Sequence, residues 1–133
     1  MDIARRALGT DAVVEQRDLR ELGFPQGCAA VALIDVLLYL PEPERVLRAA
    51  ADALAPDGAL LVREPDASGG LAFQLTRLSA RFDAATRGRF GGLHYRSATD
   101  WHAQLTALGL SVEARPMSER TPFANVLFVA RKS

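Results

Sequence analysis

The chain is poor in several features that would point to particular functions. It has one cysteine, Cys28, in 133 residues, so no intrachain disulfide can form and a disulfide-stapled scaffold is excluded. An excess of either charge is missing too, since 16 Lys and Arg balance 16 Asp and Glu. Neither nucleic acid nor an anionic membrane surface is therefore expected as a partner through bulk charge. Long hydrophobic runs are absent. The longest, Cys28 to Leu40, is broken by Asp35 and is too short to span a bilayer. The opening residues MDIARRALG lack the apolar stretch of a signal peptide, so a cytoplasmic protein is expected. Two histidines and one cysteine offer no metal-ligand spacing, and no metal site is expected. There is no internal repeat and no low-complexity segment.

What remains is ordinary globular material. Hydrophobic residues make up 49% and charged residues 24%, enough for one domain over residues 1–133. Residues 3–8 read as the tail of a helix stopped at Gly9. Residues 12–16 read as a short strand, and 18–27 as a polar connection with one helical turn. Residues 29–34 are apolar without alternation, the pattern of a strand buried on both faces. A helix is predicted over 42–54, with Pro41 and Pro43 at its start and an apolar stripe of Val46, Leu47, Ala50 and Leu54. Pro56-Asp57-Gly58 reads as a turn and 59–63 as another buried strand. An amphipathic helix over 70–83 uses Leu71, Leu75, Leu78 and Phe82. A glycine-containing loop follows over 84–96. Ser97 to Asp100 form a capping box for a helix over 98–108. Residues 110–115 and 123–131 read as two closing strands.

Alternating strands and helices predict an α/β fold with a mostly parallel sheet. The last two strands have no helix between them and are expected to pair antiparallel.

The stretch from Asp18 to Asp66, DLRELGFPQGCAAVALIDVLLYLPEPERVLRAAADALAPDGALLVREPD, carries three motifs in order. They are an Asp-Leu followed by Phe-Pro-x-Gly, an apolar strand running into Asp-Val-Leu-Leu-Tyr-Leu-Pro, and a helix ending in Leu-Ala-Pro-Asp-Gly before a second apolar strand. Together they resemble the class I S-adenosylmethionine-dependent methyltransferases that act on small molecules, in the region after their glycine-rich loop. The segment from His94 to Lys132 resembles the family's last helix and strand pair. Cys28 and Ala29 depart from the family, which commonly places an aromatic-Asp pair there. The resemblance implies a partial Rossmann-like fold, a sheet ordered 3-2-1-4-5-7-6 in the intact family, S-adenosylmethionine as cofactor and a small-molecule methyl acceptor. No G-x-G-x-G occurs in the sequence. The chain is accordingly expected to be a domain truncated at its N-terminus, impaired in cofactor binding by itself. A non-catalytic remnant acting through an interface is the alternative. A nicotinamide-linked enzyme is disfavoured, because no G-x-G-x-x-G follows a strand.

The resemblance also assigns candidate residues. Asp18 and the backbone of Leu19 would meet the cofactor adenine, with a helix cap as the alternative reading of Asp18. Ile34, Asp35 and Tyr39 lie just past a strand end, where ligands of open α/β sheets bind, and would line its methionine half. Glu64, Asp66 and Tyr95 face the substrate side, and His94 is the one candidate general base. Cys28 reads as a small buried residue rather than a nucleophile. With the family's strands one and two absent, strand 12–16 would stand roughly 14 Å from 29–34, at about 4.8 Å per lane. Two outcomes are expected from so apolar an edge. Either the chain self-associates as a homo-oligomer through it, or 12–16 slides inward to pair with it.

Overall fold

The computed structural model describes residues 2–10, 12–15, 18–86, 93–117, 119 and 122–133. Four strands form one sheet: β1 Cys28–Ile34, β2 Leu54–Pro65, β3 Ser111–Pro116 and β4 Asn125–Arg131, in the order β1-β2-β4-β3. β1 and β2 are parallel, while β2–β4 and β3–β4 are antiparallel. This order is the 4-5-7-6 half of the family sheet, and the expected antiparallel closing pair is present.

Parallel strands need a crossover, and α3 (Pro43–Ala53) supplies it. Pro43 opens it, at a position where the missing N–H is harmless. Its stripe Val46, Leu47 and Ala50 is buried against Leu33 of β1, Leu60 and Val62 of β2, and Val126, Phe128 and Ala130 of β4. Helix α5 (Ala98–Ala107) adds Trp101 and Leu105 to the same core. Ser97 caps it as the sequence predicts, accepting from the Asp100 amide at 3.2 Å. Helices α1 (Asp2–Leu8) and α2 (Leu19–Leu22) precede the sheet, and α4 (Gly70–Thr86) follows β2.

Three expectations are corrected. Residues 12–15 are not a strand; residue 16, the last of the predicted segment, lies outside the described residues. Among the described residues the sheet ends at β1, so residues 12–15 have no ladder there to join, and Val13 is 89% exposed. A strand without a partner leaves its backbone groups unsatisfied by the fold. Nor do residues 12–15 pair with β1. Second, β1 is buried on one face only. Val31 and Leu33 point into the core, while Ala30, Ala32 and Ile34 on the other face are exposed. Third, the Leu71, Leu75, Leu78 and Phe82 stripe of α4 faces outward rather than into the core.

The Pro56-Asp57-Gly58 turn survives as a bulge inside β2. Cys28 pairs with Leu54 and Ala30 with Ala59, so residues 55–58 loop out opposite Ala29. Asp57 takes a φ of 62°. Gly58 is required there, since a Cβ on it would lie 2.8 Å from the Ala55 carbonyl oxygen. Among the described residues, no helix is long and apolar enough to cross a membrane.

Candidate functional site

The carboxyl ends of β1 and β2 lie side by side, and the chain leaves both sharply. Asp35 follows β1 with a φ of 52°, and its amide donates to the Arg63 carbonyl at 2.9 Å. Its carboxylate pairs with the Arg63 guanidinium, Nη1 to Oδ2 at 3.1 Å. The other carboxylate oxygen, Oδ1, is buried with no hydrogen-bond partner. A 3₁₀ turn, Leu37–Tyr39, comes next.

Glu64 holds that turn. The amides of Val36 and Leu37 donate to its Oε1 at 3.1 and 2.8 Å. Its side chain is fully buried. Burial pushes its carboxyl up to about 7, with the nearby Asp35 charge adding to the rise and the backbone amides of the turn opposing it. Glu64 therefore ends up under the turn rather than open to the cleft, although Oε2 has no hydrogen-bond partner.

Asp66 ties the end of β2 to α5. Its Oδ1 accepts from the Ser68 amide at 2.9 Å, the Ser68 hydroxyl at 2.6 Å and the Ala98 amide at 2.9 Å. Burial works against ionisation, but these hydrogen bonds outweigh it and hold the carboxyl below its usual range.

Two cavities receive the candidate residues. One, of ≈ 270 Å³, is lined by Asp35, Tyr39, Arg63, Thr76, Asp83 and Asn125 among others, between the strand ends and α4. The other, of ≈ 210 Å³, is lined by Leu19, Arg20, Leu40, Pro41, Glu42 and Arg45, between α2 and α3. Asp18 is the N-cap of α2, accepting from the Arg20 amide at 2.9 Å. The Arg20 guanidinium grips the same carboxylate and holds its pKa down to about 2. Ile34 is 45% exposed on the uncovered face of β1.

His94 reaches the 3₁₀ turn through its backbone, its amide donating to the Leu38 carbonyl at 2.7 Å, and its side chain is exposed. Tyr95 packs edge-on against Phe73 of α4, with ring centroids 5.1 Å apart. Its hydroxyl is buried without a partner, and burial raises its pKa. Neither His94 nor Tyr95 lines either cavity. The structure thus brings Asp35 and Tyr39 together, leaves Leu19 at the other cavity with Asp18 as the helix cap beside it, and puts Glu64 beneath the turn between β1 and α3. Sequence reasoning missed Arg63 and Thr76. Arg63 was the legible one, a lone cation closing an apolar strand. Thr76 accepts from the Ala124 amide at 2.9 Å through its hydroxyl, a contact that the sequence does not signal.

The family description "Methyltransferase domain" matches residues 3–115. The chain belongs to the methyltransferase-domain family, class I by fold. No curated protein matches it. Solved structures share the fold. An O-methyltransferase family protein from Burkholderia thailandensis is 23% identical with a TM-score of 0.69, over 99% of this chain and 40% of that one. A possible histamine N-methyltransferase from Thermotoga maritima is 17% identical with a TM-score of 0.71, over 99% and 68%. A [4+2]-cyclase is 20% identical with a TM-score of 0.70, over 98% and 60%. The chain thus spans between two-fifths and about two-thirds of these proteins, and one of them carries a different chemistry on the same fold.

Of the residues expected to meet a cofactor, Leu19 lines one cavity and Asp35 and Tyr39 line the other. The Asp18 carboxylate is paired with the Arg20 guanidinium.

Proposed function

We propose that this chain supplies the acceptor-facing part of S-adenosylmethionine-dependent methyl transfer to a small-molecule acceptor in the cytoplasm, and that by itself it binds the cofactor weakly or not at all. The division of the candidate residues between two cavities carries this reading. The cleft at Asp35, Tyr39 and Arg63 offers a phenol, a carboxylate and a guanidinium where the resemblance expects the methionine half of the cofactor, and a small polar acceptor would approach beside it. Glu64 holds the turn that presents Tyr39. His94, fixed by its backbone beside that turn, is the proposed base where the acceptor must lose a proton, and Tyr95 a substrate neighbour.

Calorimetry with adenosylmethionine and adenosylhomocysteine tests the proposal. A dissociation constant weaker than about 10 μM, roughly −6.8 kcal/mol, is expected. Tighter binding would show that the residues present suffice and would sink this reading.

One observation favours a second reading, a structural or interaction role without catalysis. β1 is an open edge with one bare apolar face. A homo-oligomer through that edge would cover it, and light scattering should then show a mass above that of one chain.

A further inference from the structure

Helix α4 wears its hydrophobic stripe on the outside. Phe73 and Thr76 are buried and Ala80 is half-buried, so the opposite face is the one held by the fold. Leu71, Leu75, Leu78 and Phe82 are 78%, 42%, 66% and 72% exposed. Their intervals are four, three and four residues. At 3.6 residues per turn they fall within about 60° of arc. That is the spacing of a coiled-coil seam, where each side chain enters a hole on a facing helix.

We propose that α4 pairs antiparallel with α4 of a second copy of this chain through these four side chains. The sequence is self-complementary for that arrangement. A two-fold axis between Thr76 and Arg77 sets Leu75 against Leu78 of the second copy and Leu71 against its Phe82. Every layer is then apolar, and the one bulky ring always meets a leucine. Gln74 and Arg81 flank the seam on one side, and Ala72 and Ser79 on the other. Arg81 therefore stands beside Gln74 of the second copy, with no like charge opposed to it. Arg77 lies farther round the helix and stays outside the contact. Opposed helix dipoles favour the antiparallel sense.

The area fits a second copy as occupant. The four side chains expose on the order of 450 Å² of apolar surface, within the range where such patches mark interaction sites. Covering it on both copies buries roughly 1,000 Å², the lower end of specific interfaces. The pairing is thus expected to be reversible, and it is separate from the β1 edge. It also bears on the cleft, because Thr76, Ser79, Ala80 and Asp83 on the inner side of α4 form one of its walls. The inference holds whether or not the chain transfers methyl groups.

The test uses the full chain with Cys28→Ser, carrying either Leu75→Cys or Leu78→Cys. Under mild oxidation, a mixture of the two proteins should form disulfide dimers several-fold faster than either alone, because only the 75–78 pair is in register. In sedimentation at about 100 μM, Leu71→Gln/Leu78→Gln should show half the mass of the unmodified chain. Crosslinking no faster in the mixture than in the separate proteins overturns the antiparallel seam. Equal masses for the folded Gln variant and the unmodified chain overturn the pairing altogether. If the Gln variant fails to fold by circular dichroism, the crosslinking rates alone decide.

Discussion

The sheet ends on two strands of opposite character. β3 is exposed along nearly its whole length, with only Val112 half-buried. It carries the Glu113–Arg115 ion pair at 2.9 Å and finishes at Pro116. β1 has no charge and no proline between Cys28 and Ile34, and buries Val31 and Leu33 on one side while leaving Ala30, Ala32 and Ile34 bare on the other. Charge and proline are the means by which natural edge strands avoid pairing with strangers. β3 has both and β1 has neither. An edge is therefore recognisable in the side chains as well as in the topology, and β1 has the composition of an interior strand placed at an edge.

Core-facing truncations should separate the two strands most widely. Leu33 is 2% exposed and touches the α3 packing layer, so Leu33→Ala is expected to cost about 2–5 kcal/mol. Val112 only leans on that core from β3, and Val112→Ala should cost less than about 1.5 kcal/mol. Urea denaturation of both variants measures the difference. Equal costs would mean that β1 is no more committed to the core than β3.

The exits of the two strands differ as well. β3 leaves through an ordinary backbone bond, the Met117 amide donating to the Asn125 carbonyl at 2.9 Å. β1 leaves through a turn fastened to the buried Glu64 carboxylate. That group titrates at about 7 when folded, against an ordinary value of 4.5. Between those values the folded chain keeps a proton that the unfolded chain has lost. The contribution of Glu64 to stability should therefore be greatest below about pH 4.5 and fall as pH rises towards 7, by at most about 3 kcal/mol. Glu64→Gln keeps an acceptor for the Val36 and Leu37 amides without the charge. Its stability relative to the parent should rise across that pH window, as read by paired urea titrations at pH 4.5 and 7.5. A constant difference between the two proteins would mean that Glu64 ionises normally.

What was legible in the sequence follows the range of the forces involved. Helix α3 was readable because its prolines, first-turn Glu44 and Val46-Leu47-Ala50 stripe all act within a few residues of one another. The Ser97 and Asp18 caps are local in the same sense. The order of β1, β2 and the closing pair was readable because their motifs follow the family's rhythm. The failures are questions of what lies opposite. An apolar run does not say how many of its faces are covered, so β1 was given two covered faces and has one. A helical stripe does not say which way it points, and that of α4 points outward. Residues 12–16 had strand composition, but a strand exists only where a neighbour receives its hydrogen bonds. Asp35 and Arg63 meet because Ile34 pairs with Arg63 across the ladder, a register set by the bulge at 55–58. Glu64 was readable as an acid at a strand end, and its burial under the turn only from the three-dimensional packing.

The smallest expected effect on stability is the most direct probe of the edges themselves. Ala32 lies on the bare face of β1 and Ala114 is exposed on β3. A lysine at either place buries nothing and breaks no hydrogen bond, so each should change stability by no more than about 0.5 kcal/mol. Their effects on association should diverge. On β1, Ala32→Lys introduces the kind of charge that edge strands use to deter pairing, and it should lower the mass seen by light scattering if copies join through that edge. β3 is already protected by the Glu113–Arg115 pair and by Pro116, so the added charge of Ala114→Lys should leave the mass unchanged. The α4 seam is present in both variants and contributes equally to both, which leaves the edge as the only difference between them. If both lysines lower the mass, or neither does, the contrast between an interior-type edge and a protected one has no consequence for association, and the bare face of β1 is harmless in solution.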